Sequence, residues 1–243
     1  MQLTYHEYEK VLCAVEDLAT KQLTIGLDSY RKEVLHILYN VFGYRYSLFW
    51  ISDGNHLIDP ILLNIEKQSL IEYESYYKKQ DFLQPFNVKH KKRIQTLNDV
   101  VPFSKYLQTE YYNSFMKKYL FLDELAIYLE HDGEIVGGIG ILRNRDETRF
   151  TNKDVSMLNY LVKQIESGFN IQRNFANNII KKIGLTEREQ EIVYYLEKGL
   201  KNKEISKILF VTEHTVKKHL QNLFLKTGTN NRTELLYRLK YMR

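Results

Sequence analysis

A single cysteine, Cys13, stands in a chain of 243 residues. One thiol forms no intramolecular disulfide and supplies no multi-cysteine zinc site, which suits a reducing compartment. It lies on an amphipathic helical stretch, where a buried structural thiol is expected. Long apolar runs are missing too: nothing approaches the roughly 18 uninterrupted apolar residues of a membrane helix. The N-terminus "MQLTYHEYEKVLCAVEDLATK" is charged throughout. Neither a signal peptide nor a membrane partner is expected from it, and the chain reads as cytoplasmic. Also absent are a Gly-rich phosphate loop, an HExxH helix and a GxSxG elbow. The seven His are scattered singly. No catalytic residue, metal site or cofactor is expected, so the protein reads as a non-enzyme.

What is present is a large potential core and an uneven distribution of charge. Hydrophobic residues make up 44% and aromatics 13% of the chain, enough for a substantial core across two domains. From Ile180 to Arg243 there are ten Lys and four Arg against seven Glu, a surplus of seven positive charges. The preceding 179 residues hold 21 basic and 23 acidic residues. A basic tail after a near-neutral body points to a polyanion partner for the tail. Aromatics divide the other way, with 15 of 19 Tyr, 10 of 12 Phe and the single Trp before residue 180.

Along the body, Tyr8, Val11, Leu12, Val15 and Leu18 recur at helical spacing between Thr4 and Lys21. Asp28 or Ser29 is placed to cap a second helix, "YRKEVLHILYNVFG", which Gly43 ends. "YRYSLFWIS" reads as a strand bounded by the turn "DGN". "HLIDPILLNI" pairs back on it, with Pro60 confining it to an edge or a break. A Tyr-rich helix is expected over "EKQSLIEYESYYKKQ". A basic cluster at Lys89–Arg93, a short strand "RIQTL" and a helix over "FSKYLQTEYYNSFMKKYL" follow. "ELAIYLEHDGEIVGGIGILRN" is a hairpin closed by His-Asp-Gly-Glu. A long helix then runs from about Asn152 to beyond Asn170.

This order describes an α+β domain on an antiparallel sheet. Over residues 25 to 172 it resembles the GAF/PAS-like sensor domain, including the autoinducer-binding domain of quorum-sensing regulators. The local patterns "YESYYKKQDFLQP" and "GGIGILRNRDETRFTNKDVSMLNYLV" carry that resemblance. A sensor and dimerisation domain is expected over 1–173. The connector "NFANNIIKKIG", 174–184, reads as a linker that extends the helix, since it lacks Pro and has Gly only at its end. A DNA-binding domain is expected over 185–243.

Within that tail, "TEHTVKKHLQNLFLKTG" places Val216, Leu220, Leu223 and Phe224 on one helix face. His214, Lys218, Gln221 and Asn222 lie opposite, Lys217 flanks them, and Thr212 sits at the N-cap. A helix in the major groove needs one anchored side and one side offering donors and acceptors. "LTEREQEIVYYLEKG" opens on a capping box, Thr186 with Glu189, and buries Ile192, Val193 and Leu196. "KNKEISKILF" turns Ile205, Ile208 and Leu209 inward, and "NRTELLYRLKYM" closes a four-helix unit.

The segments "LTEREQEI", "GLKNKEIS", "TEHTVKKH" and "KTGTNNRTE" resemble, with correct spacing, the DNA-binding domain of LuxR/NarL-type transcription regulators. Lys201 replaces the usual Ser, adding charge near DNA, and Thr227 replaces the usual Leu, weakening the core. The resemblance implies a helix-turn-helix that binds double-stranded DNA. The residues expected there are Lys203, Thr212, His214, Thr215, Lys217, Lys218, Gln221 and Lys226. Glu189 and Arg232 match a paired acid and base tying the first helix to the last. A homodimer is expected, sharing Val155, Leu158, Leu161, Val162 and Ile165, and RNA polymerase is a further expected partner. A phosphoreceiver domain would open with a strand ending in paired acids, whereas this chain opens with a helix.

Tyr73, Tyr77 and Asp81 repeat at i, i+4 and i+8, so one helix face would present two phenols and a carboxylate. The resemblance places such residues in an autoinducer pocket, here facing Trp50, with Asp81 accepting from a small-molecule ligand. Phe82 stands where the family has Pro after its Asp, which argues against an acyl-homoserine lactone. Two readings stay open for these aromatics: a ligand pocket, or plain core. The function expected is a sequence-specific regulator modulated by a ligand or by dimerisation. The alternative is an adaptor or ligand-binding protein whose tail binds DNA without specificity.

Overall fold

Thr4 opens the first helix by accepting the Glu7 amide, while Glu7 Oε2 accepts the Thr4 amide at 2.8 Å. The computed structural model describes residues 3–86 and 92–242. Lys89, His90 and Lys91 of the expected basic cluster lie outside the described residues. The chain divides into two units, Met1–Asn170 and Ile171–Arg243. Among the described residues no helix is long and apolar enough to cross a membrane.

In the first unit, helices α1 (Tyr5–Lys21) and α2 (Leu27–Phe42) precede strands β1 (Tyr46–Ser52) and β2 (Leu57–Leu63). Gly26, not Asp28 or Ser29, holds the N-cap of α2, and Asp28 lies in its first turn. Next come α3 (Lys67–Ser75), a 3-10 turn at Tyr77–Lys79, β3 (Ile94–Thr96), and the short helices α4 (Leu97–Val100) and α5 (Phe103–Tyr106). A π-helical segment, Tyr111–Met116, leads into β4 (Phe121–His131) and β5 (Glu134–Asn144), and α6 spans Asn152–Ile183. The single helix expected over residues 103–120 is therefore two pieces. Tyr106, Tyr111, Phe115 and Met116 all reach the core, which one straight helix of that length would not allow.

The strands form one antiparallel sheet in the order β2-β1-β5-β4-β3. β2 with its Pro60 lies at one edge, as a strand missing one amide donor must. The alternation of period two sorts β4 between two cores. Leu125, Ile127 and Leu129 pack with α1, α2 and α6, beside Val34, Leu35, Phe49 and Phe169. Ala126 and Tyr128 face the other way, toward Tyr106, Tyr111, Phe115 and Met116. Leu158, Leu161, Val162 and Ile165 of α6 are buried in the first of these cores. They are thus spent within the protomer, which overturns the expectation that a partner subunit shares them. Cys13 is exposed rather than buried, since α1 turns Val11, Ala14 and Leu18 inward instead.

In the second unit α6 ends at Ile183 and Gly184 follows with φ of 69°. Helices α7 (Glu187–Glu197), α8 (Asn202–Ile208), α9 (Glu213–Thr227) and α10 (Arg232–Met242) complete it. Ile192, Leu196, Ile205, Val216, Leu223 and Leu235 lie at the centre of its core. Ile208, expected inward, is exposed, because α8 ends there and the chain turns.

Candidate functional sites

Helix α9 is set from its first residue. Thr212 accepts the Thr215 amide at 3.1 Å, and its carbonyl takes the Val216 amide at 3.2 Å. Val216, Leu220, Leu223 and Thr227 are buried, one residue per turn. Lys217, Lys218, Gln221 and Asn222 stand exposed on the opposite side, and His214 is exposed at the start. Thr215 is half-buried, its hydroxyl 2.9 Å from that of Thr212. Lys203 on α8 is exposed. The turn between α8 and α9 is fixed by the Val211 amide on the Ser206 carbonyl at 3.0 Å. Arg188 of α7 ties it further by donating to the Leu209 carbonyl at 2.6 Å.

Two of the expected roles change. Lys226 points into its own domain, donating to the Gly184 carbonyl at 2.8 Å and to Glu189 Oε2 at 2.6 Å. Burial would raise the Glu189 carboxyl, but Lys226 and the Thr186 backbone outweigh it and hold the group below the usual carboxylate range. Glu189 therefore pairs with Lys226, not Arg232. Arg232 instead donates to the carbonyls of Leu196 and Leu200, each at 2.9 Å, closing the C-terminal end of α7. Thr227 satisfies its hydroxyl on the Leu223 carbonyl at 2.6 Å, so its burial leaves no polar group stranded.

The second site is a cavity of about 80 Å³ on the sheet face away from α1, α2 and α6. Trp50, Tyr73 and Asp81 line it, and Tyr77 does not. The predicted helix face is broken: α3 ends at Ser75, Tyr77 sits in the 3-10 turn and Asp81 lies beyond it. Tyr77 stacks on Phe115 with ring centres 4.8 Å apart and fills core. Trp50 and Tyr73 stand 6.2 Å apart between ring centres. Trp50 lies at the bulge where β1 and β2 shift register, and opposite Gly138 of β5. Gly138 and Gly140 present no side chain on this face, which leaves the space open.

Asp81 is buried at 8% exposure and firmly held. Its Oδ2 accepts the Tyr73 hydroxyl at 2.7 Å and its Oδ1 accepts the Leu83 amide at 2.7 Å. Gln84 in turn donates to the Tyr73 hydroxyl at 3.0 Å. Burial raises the Asp81 carboxyl, and those two donors offset it in part. A second carboxylate reaches the cavity from the sheet rather than from the α3 side. Glu124 of β4 is 8% exposed and lines the same cavity. Among the described residues the one donor to its side chain is the Tyr111 hydroxyl, 3.5 Å from Oε2, too long for a good hydrogen bond. Burial, then the charges of Asp81 and Asp123, push the Glu124 carboxyl well above the usual range. Its signal in the sequence is register: Glu124, Ala126 and Tyr128 alternate with Leu125, Ile127 and Leu129, so a Glu sits on a buried face.

Residues 183–239 match the bacterial regulatory proteins of the luxR family. The chain is 39% identical over 107 residues to the CsgBAC operon transcriptional regulatory protein of Escherichia coli, covering 44% of each. The match thus spans less than half the length of that relative. It is 28% identical over 178 residues to the monoamine regulon transcriptional regulator of Klebsiella aerogenes, covering 73% of this chain and 75% of that one. Among solved structures, Escherichia coli SdiA is similar with a TM-score of 0.49 and 15% identity, over 94% of this chain and 97% of the other.

Proposed function

We propose, from a C-terminal domain of the luxR family at residues 183–239, that the protein is a DNA-binding transcription regulator acting in the cytoplasm. One observation carries this most directly. Helix α9 is anchored by Val216, Leu220 and Leu223 while Lys217, Lys218 and Gln221 stand exposed on its other side. Such a helix enters the major groove with its polar side toward base edges. Lys217, Lys218 and Gln221 take base edges or the adjoining phosphates, and His214 approaches the same groove. Thr212 caps the helix, Thr215 lies in its first turn, and together they offer that turn to a phosphate. Lys203 holds the DNA backbone, while Lys226 supports the scaffold through Glu189. The surplus of positive charge in the tail supplies the sequence-independent attraction.

A four-helix reading head touches few base pairs, so specificity across a genome calls for two copies on two half-sites. With the inner residues of α6 spent on the core, Tyr8 and Leu12 of α1 and Tyr160 of α6 are among the exposed apolar residues that offer a surface to a partner subunit. RNA polymerase is the further partner in this scheme. The N-terminal unit acts as a sensor: a molecule in its cavity shifts DNA affinity, and DNA shifts ligand affinity by the same free energy. The test is a gel shift at several salt concentrations on selected and random DNA. Lys218→Ala and Gln221→Ala should each cost about 1–3 kcal/mol on the selected site. Equal affinity for both DNAs would favour a non-specific tail on an adaptor instead.

A further inference from the structure

Which molecule the cavity takes can be read from the polar groups it offers. Among the described residues no Lys or Arg lines it. The Tyr73 hydroxyl is spent on Asp81, the Tyr128 hydroxyl on the Leu83 carbonyl at 2.8 Å, and Ser69 on the Glu66 carbonyl at 2.7 Å. Trp50 adds one indole N–H. What remains is acceptor capacity: a carboxylate that is held, Asp81, and one almost without donors, Glu124. A carboxylate carries about four lone-pair sites, so both have room for further donors. Around them are the aromatic side chains of Trp50, Tyr73, Phe115 and Phe121.

From this inventory we infer that the cavity binds a small protonated amine, its ammonium set between Asp81 and Glu124 and its apolar part against the aromatic walls. An ammonium has three donors and no acceptor, the complement of what the walls present. It lets both buried acids be ionised together, which their mutual repulsion otherwise opposes, and aromatic faces attract cations. A carboxylate head would be repelled by Asp81, and the donors left to a neutral carbonyl are the Trp50 N–H, the Tyr111 hydroxyl and the proton of Glu124. Size agrees with this: about 80 Å³ is well below the roughly 300–1,000 Å³ of sites for drug-sized ligands.

Proton balance follows from the same groups. In the empty cavity Glu124 is held toward its protonated form by burial and by Asp81 and Asp123. Tyr111 lies against it, and Tyr73 and Tyr128 line the same cavity. An incoming ammonium favours the carboxylate, so the Glu124 proton leaves to solvent as the amine enters. Binding should therefore tighten as pH rises until the amine itself deprotonates.

The inference rests on the sensor role proposed above, and the experiment keeps the two apart. Calorimetry on the full chain would use 2-phenylethylamine and n-butylamine, with 2-phenylethanol and phenylacetate as neutral and anionic counterparts. Two buffers of different ionisation enthalpy count the protons released. Expected are binding of an amine, at least tenfold preference over both counterparts, and release of a proton. Glu124→Gln, which loses no good hydrogen bond, should weaken the amine at least tenfold and abolish proton release. Asp81→Asn should weaken it too. Failure of both amines to bind, equal binding of phenylacetate, or unchanged affinity in Glu124→Gln would overturn the inference. Gel shifts on the same preparations read the other claim. Amine binding without any effect on DNA would leave the ligand class standing and remove the coupling. Specific DNA binding without amine binding would do the reverse.

Discussion

The ring of Tyr30 on α2 fills the place where Gly168 of α6 carries no side chain, and its hydroxyl donates to the Gln164 carbonyl at 3.3 Å. A Cβ at position 168 would collide with the phenol oxygen and the ring carbon bearing it. In an exposed helix interior Gly→Ala stabilises by about 1 kcal/mol. Here the sign should reverse, with Gly168→Ala losing about 1–3 kcal/mol to overpacking. Urea unfolding measures it. Adding Tyr30→Leu should make the two losses less than additive.

Lys226 and Glu189 offer a test of scaffold against DNA contact. Lys226→Ala leaves a buried carboxylate without its cation and should cost about 1–3 kcal/mol of stability. Because Glu189 is lowered in the folded state, its contribution is present above the ordinary value of 4.5 and lost as pH falls through the lower folded one. The variant should therefore unfold with less dependence on pH in that acid window. Its DNA affinity should keep the wild-type salt slope, whereas Lys203→Ala should reduce that slope by about 1.

Phe210 stands between α8 and α9 with φ of 53° and 95% of its surface exposed. A left-handed backbone costs a bulky residue roughly 1–2 kcal/mol, and Asn tolerates it far better. With no packing to lose, Phe210→Asn should raise stability by about 0.5–1 kcal/mol in denaturant titration. Nothing in the structure explains why a Phe occupies this position.

Glu124 should carry an opposite pH signature from Glu189. Its folded-state carboxyl is raised, so the native state holds the proton where the unfolded chain has released it. Stability of the ligand-free protein should fall as pH climbs above the ordinary value of 4.5 toward the raised one. Glu124→Gln removes that loss. Its melting temperature should exceed wild type at pH 7, with the gap closing toward pH 4.

Much of the architecture was legible in local signals. Asp132 and Gly133, both with positive φ, close the β4–β5 turn that His-Asp-Gly-Glu announced. Thr212 and the stripe Val216, Leu220, Leu223 announced α9. The cavity was legible only in part. Between Tyr73 and Asp81 there is neither Gly nor Pro, so the sequence reads as one continuous helix. Tertiary contacts end it instead: Tyr76 leaves helical geometry with φ of −141°, and Tyr77 is taken up by Phe115. The break at residues 103–120 has the same origin, since several rings must reach one core. Periodicity alone does not settle the side on which Cys13 falls, because a helical stripe is wide at its margins and Ala14 takes the inner position. Glu124 is not legible from local signals, because a Glu at a strand's start reads as surface until register fixes its face.

The β4–β5 hairpin also sets an order in time. Its strands are neighbours in sequence, joined at Asp132–Gly133, and pairs of this kind close in about 1–10 μs. β1 has no such neighbour on its inner side: Tyr46 meets Leu142 of β5 only by closing a long loop. On a ribosome the N-terminal strands leave the tunnel long before β5 exists. They cannot take their place in the sheet until the segment near Asn144 has been made. The wall between Trp50 and Gly138 is then among the last parts of that domain to form, and the chain spends its synthesis with β1 unpaired on the side where β5 will dock.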